Sequence, residues 1–182
     1  MGFDFIADRP VLNFLPTLAG RGAIDDEKLQ TATDLGNWIV LAGIVDAPPR
    51  IGPAGLGAAK TLREALYRMV AALIEHRPPD AADRALVNAA AALAPPVPYL
   101  DDDGLHRTGS LNAVLAVLAR DCLDLCASPD KNALHWCADS TCTRPFIDRS
   151  RGQRRRWCGM KGCGDRAKAA AYRQRQRAGT NG

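Results

Sequence analysis

Residues 136–177 read WCADSTCTRPFIDRSRGQRRRWCGMKGCGDRAKAAAYRQRQR, and this stretch decides how the rest of the chain is understood. Its four cysteines fall as Cys137-x4-Cys142-x15-Cys158-x4-Cys163, two pairs separated by enough chain to turn and come back. Tetrahedral zinc needs four soft ligands converging on one point, and two loop-borne pairs deliver them without strain. With all four positions thiols, no coordination site is left for an activated water. The expected cofactor is therefore one structural Zn2+ held by Cys137, Cys142, Cys158 and Cys163.

Between the pairs, Arg144 to Asp148 and Arg154 to Trp157 read as two short strands joined by the turn-forming residues Arg149 to Gln153. Alternation along the second strand places Arg154, Arg156 and Cys158 on one face and Arg155 and Trp157 on the other. Phe146 and Trp157 are the expected apolar packing of a module too small to fold without its metal. After Cys163, Gly164 allows a tight backbone path, and Asp165 is placed to cap a helix running to about Arg177. At 100° per residue, Arg166, Arg173 and Arg177 share one stripe and Lys168 and Arg175 another.

Charge divides the 182-residue chain at the same place. Residues 144–182 carry twelve Lys/Arg against Asp148 and Asp165, a net +10, whereas residues 1–143 carry twelve against eighteen Asp/Glu, a net −6. The overall +4 hides these opposite halves. A concentrated basic tail attracts phosphate and releases its counterions, so a polyanion partner is expected. Two other readings stand beside it: the tail docks on its own acidic body, or some arginines, notably Arg154, Arg156 and Arg166, balance the −2 charge of a zinc tetrathiolate.

The remainder reads as helical. Pro10, Pro16, Gly20 and Gly22 limit the first 24 residues to a helical turn or short strand followed by loop, and Asn13 and Thr17 within the apolar run either cap and satisfy local backbone, the favoured reading, or line a pocket. Thr31 and Asp34 form a capping-box start for a helix carrying Leu35, Trp38, Ile39, Ala42 and Val45, stopped by Pro48 and Pro49. The longest periodic segment, starting near Pro53 and closed by Pro78 and Pro79, has Leu62, Ala65, Leu66, Met69, Val70, Leu73 and Ile74 on one stripe, with Lys60, Arg63, Glu64 and Arg68 elsewhere. A third helix spans about Ala81 to Leu93, with Leu86 and Leu93 one heptad apart. Residues 98–108 read as a hairpin around an Asp-Asp-Gly turn, whose Asp101 to Asp103 are solvated. Ser110 caps a fourth helix bearing Leu111, Val114, Leu115, Leu118, Cys122 and Leu125, in which Cys122 and Cys126 are core filler.

The fold class is thus mainly α: a helical domain over 1–130 with a small β-hairpin, then a zinc module over 131–182. No run approaches the roughly 20 apolar residues of a membrane span, and the acidic N-terminus lacks the form of a signal peptide. A cytoplasmic location without membrane attachment follows as the expectation. His76, His106 and His135 sit in no nucleophile or hydrolase pattern, and no glycine-rich phosphate loop is present, so an enzyme is not expected.

The C-terminal residues resemble the CGNR-type zinc fingers, whose motif has the form C-x4-C…F-x-D-x-S-R…R-R-W-C-x-M-x-x-C-G-N-R-x-K. The matching residues are Cys137, Cys142, Phe146, Asp148, Ser150, Arg151, Arg155, Arg156, Trp157, Cys158, Met160, Cys163, Gly164, Arg166 and Lys168, with Asp165 where the motif has Asn. In that family the finger commonly follows a helical domain called ABATE. Residues 12–18, LNFLPTL, are similar to its L-D-F-V-N-T-L start, with Asn13 and Pro16 replacing Asp and Asn. The resemblance implies a treble-clef finger in a stress-induced transcription regulator, with double-stranded DNA as partner and a small-molecule or protein effector at the helical domain. The expected nucleic-acid contacts are Arg154, Arg155, Arg156, Arg166, Lys168, Arg173, Arg175 and Arg177. The alternatives are a zinc-stabilised module binding an acidic protein, and an RNA or single-strand binder. The latter has few stacking platforms beyond Trp157 and Tyr172.

Overall fold

A computed structural model describes residues 2–179. The chain begins with a single helical turn, α1 (Pro10–Phe14), continued by a 3-10 turn, Leu15–Thr17. Two-residue strands β1 (Leu18–Ala19) and β2 (Asp26–Glu27) pair antiparallel. Four longer elements follow: α2 (Ala32–Leu41), α3 (Pro53–Ile74), α4 (Ala81–Ala91) and, after the hairpin β3 (Val97–Asp101) and β4 (Gly104–Thr108), α5 (Leu111–Ala127). The last section holds β5 (Leu134–Trp136), β6 (Pro145–Ile147), an irregular turn at Met160–Gly164 and α6 (Asp165–Gly179).

Local chemistry sets the helix ends. Thr31 Oγ1 accepts from the Asp34 amide at 3.1 Å while the Asp34 carboxylate accepts from the Thr31 amide at 2.8 Å, completing the expected capping box of α2. Ser110 caps α5 through the Ala113 amide, and Pro53 occupies the first turn of α3. Helix α2 ends earlier than its apolar pattern suggests, because Gly43 takes a left-handed φ of 67°. Ile44 and Val45 then reach the core from a loop.

Helices α3 and α5 supply most of the body's core, together with Trp38, Phe14 and Leu12 from the N-terminal elements. Two features depart from the periodic reading. In α4 the inward residues are Val87 and Asp83, the latter paired with Arg68 of α3, whereas Leu86 and Leu93 are exposed. Of the helix's alanines only Ala90 and Ala91 are partly buried, so the helix meets the body through Val87 and the Asp83–Arg68 pair instead of through its leucines.

Arg63, read from the pattern as lying off the apolar stripe, is only 2% exposed. Its guanidinium donates to Glu27 at 2.8 Å through each of Nη1 and Nη2, to Glu64 at 2.7 Å and to Thr17 Oγ1 at 3.0 Å. Glu64 also accepts from Arg21. A buried guanidinium is tolerable only with its donors met, and this network meets them. It also ties β2 to α3.

The expected hairpin forms, with Tyr99 opposite His106 and Asp101 opposite Gly104, and exposed Asp101 to Asp103 at its tip. Cys122 is fully buried in the core and Cys126 half-buried beside it. No described helix is long and apolar enough to cross a membrane.

The C-terminal section is joined to the body by packing as well as by chain. Leu134 and Ile147, opposite each other in β5 and β6, sit in the body's core. Trp136 meets Tyr67 of α3 at 5.5 Å between ring centroids, and Arg21 lies 4.0 Å over the Tyr67 ring.

Candidate metal centre and basic groove

The module's own core consists of Cys137, Phe146, Cys158 and Cys163, with Cys142 and Trp157 half-buried against it. The chain reverses at the Cys137–Cys142 knuckle, so the residues flanking it, β5 and β6, meet antiparallel. This corrects the expected pairing of Arg144–Asp148 with Arg154–Trp157: the first segment does contain a strand, but its partner precedes the knuckle. The second is no strand. Asp148, 1% exposed, accepts from the amides of Ser150 at 2.8 Å and Arg155 at 2.7 Å, which rounds the loop off. The Arg155 guanidinium then folds back onto the carbonyl oxygens of Trp157 and Cys158 and lies 4.8 Å over the Phe146 ring. Strict strand alternation is lost as a result.

The four sulfurs lie within 4.8 Å of one another. A zinc–sulfur bond of about 2.3 Å implies tetrahedron edges of about 3.8 Å. The Cys142–Cys158 and Cys158–Cys163 separations are 3.8 and 3.7 Å. Donor type, number and spacing therefore fit one structural zinc, and when bound it supplies a fourfold cross-link that holds knuckle, loop and helix together. His135 is exposed on β5, its ring 6.1 Å from that of Phe146, and takes no part in the cluster.

The thiols already influence one another. Hydrogen bonding from Cys158 holds the Cys142 thiol down at about 5, while that same bond, with burial, pushes Cys158 up. Burial raises Cys163 to about 12. One thiolate is stabilised by its neighbours' S–H groups, and a second beside it is penalised until a cation arrives.

Positive charge close to the sulfurs comes from Arg166, whose Nη2 donates to Cys163 Sγ at 3.0 Å and to Asp139 at 2.8 Å. Asp139 also accepts from the Thr141 hydroxyl at 2.8 Å and amide at 3.0 Å, and these bonds, with Arg166, bring it down to about 2. Asp139 is a residue the sequence reading passed over. Its signal was an Asp two residues before a Thr inside a four-residue knuckle, a pattern that closes an Asx turn.

Gly164 sits where a side chain cannot: a Cβ there would meet Met160 Sδ at 2.9 Å and Trp157 Cδ1 at 3.2 Å. Asp165, expected as the cap, instead occupies the first turn of α6, where its charge suits the helix dipole. Helix α6 is almost wholly exposed, with Ala167 and Ala171 half-buried toward the module.

A groove of about 730 Å3 separates α6 from the Arg154–Arg156 loop, floored by Trp157, Met160, Ala167 and Ala171. Arg156 covers Trp157 at 4.4 Å. Of the α6 cations Lys168 lines the groove; by the 100° step Arg175 shares its side of the helix, while Arg173 and Arg177 lie on the opposite side. Of the eight basic residues expected to contact nucleic acid, Arg155 and Arg166 are held by partners within the module, Arg155 by the carbonyls of Trp157 and Cys158 and Arg166 by Asp139 and Cys163, although both remain exposed. Arg154, Arg156, Lys168, Arg173, Arg175 and Arg177 are exposed, and no ion pair involves them among the described residues. Self-docking accounts for other cations: Arg144 pairs with Asp4 at 3.0 Å, and Arg149 with Asp8 and Asp130, each at 2.9 Å.

Comparison with known families gives two matches. The family described as "Putative stress-induced transcription regulator", ABATE, matches residues 8–129, and the CGNR zinc finger matches residues 133–176. No curated protein matches the chain. With the first match covering more than half of its length, the chain belongs to the ABATE family and carries a CGNR zinc finger behind its helical body.

Proposed function

We propose that this chain is a cytoplasmic, non-enzymatic transcription regulator that grips duplex DNA with the groove face of its zinc module, while the helical body receives an effector. The observation that carries the reading is the set of six exposed cations without carboxylate partners among the described residues, of which Arg154, Arg156 and Lys168 line the groove while Arg173, Arg175 and Arg177 extend along α6 beyond it. Cations in that arrangement suit phosphates on either side of a helix-sized contact. Between them, Ala167, Ala170 and Ala171 present small apolar groups and Gln174 a side-chain amide, and such residues contact thymine methyls and adenine edges in a major groove. The zinc supports this face indirectly, since Cys163 and Gly164 determine where α6 starts.

The test is selection of bound duplexes from a random pool with zinc-loaded protein and a chelator-treated control. Enrichment that needs zinc supports the reading, and no enrichment overturns it. A second reading, an acidic protein segment in the same groove, is favoured by the apolar floor of Trp157 and Met160. The double variant Arg173→Glu/Arg177→Glu separates the two: duplex retention falls if DNA is the partner, whereas loss of a co-purifying acidic protein with unchanged duplex retention points to the alternative.

A further inference from the structure

Residues 2–7 have no regular secondary structure and lie across a channel between the helical body and the zinc knuckle. Cavities of about 730 and 610 Å3 open on its two sides, and both are lined by Phe3 and Lys28. At the narrows between them, which the segment closes too tightly to admit a water, Phe3 and Lys28 are joined by Asp4, Trp38 and Arg144.

Three groups there have unmet bonding capacity or depend on the segment. Trp38 is fully buried, yet its indole N–H finds no acceptor among the described residues. Buried donors are nearly always paired, so such a donor calls for an explanation. Lys28 is half-buried, and no carboxylate lies within ion-pairing distance of it among the described residues. The Arg144 side chain is 13% exposed, and the carboxylate facing it at 3.0 Å is Asp4 of the segment itself. The aromatic rings beside them are Phe3, which lines both cavities, and Phe5, whose ring is 6.0 Å from that of Trp38.

We propose that this channel is a binding site for a small aromatic carboxylate. Lys28, Arg144 and the Trp38 N–H take the carboxylate group, and the ring occupies the aromatic channel. Without ligand, the N-terminal segment fills the site, with Asp4 placed on Arg144 where the ligand's carboxylate belongs. Two cations and one neutral donor against one tethered carboxylate leave the site short of negative charge, which selects an anion over a neutral ring. Cys142 and Thr143 of the knuckle line the far end, so a bound ligand bears on the finger as well as the body. The inference rests on the reading that the body receives an effector and names its chemistry and place.

Benzoate serves as probe and benzyl alcohol as its uncharged control, titrated into 15N-labelled, zinc-loaded full-length protein. The readout is the Trp38 indole N–H resonance, assigned with Trp38→Phe. Benzoate is expected to shift it saturably and benzyl alcohol is not. Lys28→Met is expected to weaken the response at least tenfold, and Asp4→Asn to strengthen it severalfold by freeing Arg144. Unmoved Trp136 and Trp157 resonances show that each variant is folded, and if Lys28→Met fails that check, Asp4→Asn and benzyl alcohol decide. No benzoate response, an equal benzyl alcohol response, or full affinity in folded Lys28→Met overturns the proposal. No DNA is present in this experiment, so its failure leaves the duplex reading intact. Benzoate binding that leaves duplex affinity unchanged would retain the site and remove its effector role.

Discussion

The helical body and the zinc module hold themselves together by different means. The body buries aliphatic residues from α3 and α5 around Trp38 and tolerates one buried cation, Arg63, by surrounding it with Glu27, Glu64 and Thr17. The module's own core is two aromatic rings and four sulfurs, and beyond it lie a short strand pair docked on the body, turns and an exposed helix. Apolar area stabilises the first in proportion to its size, whereas the second is too small for that to suffice. The difference teaches where function can sit: a surface whose stability comes from a metal can leave several of its cations without partners, because its packing uses only Arg155, Arg156 and Arg166 among the eight.

Metal removal should break this comparison most visibly. Structural zinc contributes on the order of 10 kcal/mol to modules of this kind, so chelation should unfold the knuckle and release α6 while the body keeps its helices. Circular dichroism would then lose the α6 share of its 222 nm signal and keep the rest. A single transition abolishing all helix would show that body and module are one cooperative unit.

Arg63→Ala tests the other side. It leaves Glu27 and Glu64 without their shared cation and should cost about 3–5 kcal/mol in urea unfolding while zinc content stays at one per chain. Acid should act on the same network. Burial would push Glu27 and Glu64 up, but hydrogen bonds from Arg63, and from Arg21 in the case of Glu64, hold both below the ordinary 4.5. Carboxyls lowered in this way give stability that is present above their unfolded value and lost as the pH falls through the folded one. The urea midpoint should therefore drop below about pH 4.5, and Glu27→Gln should flatten that drop. The smallest effect is expected at the α2 cap, where Thr31→Ala should cost about 1 kcal/mol.

The regions also differ in how legible they were. Helix starts at Thr31 and Ser110 could be read directly, because capping is a short-range contact between a side chain and an amide three residues away, and Pro53 marks a first turn by its own fixed φ. The cysteine quartet was equally readable, since ligand spacing is written into the chain. Arg63 was not: its stripe position is polar by type, and only the distant Glu27 and Thr17 make burial tolerable. The strand pairing in the module was misread for a similar reason, as β6 chooses β5 across the knuckle while Asp148 bends the arginine run into a loop. The Lys28–Trp38 channel left no local pattern, because its members come from the N-terminal segment, β2's flank, α2 and the zinc module.

The central claim is that zinc orients one cationic groove toward duplex DNA. Its most direct test is the salt dependence of duplex affinity for the zinc-loaded chain, with the Arg173→Glu/Arg177→Glu variant measured alongside. If about five phosphates are engaged, log affinity should fall against log salt with a slope near −4.5, becoming shallower by about two in the double variant. A slope near zero, or the same slope and affinity in the chelated protein, would contradict it.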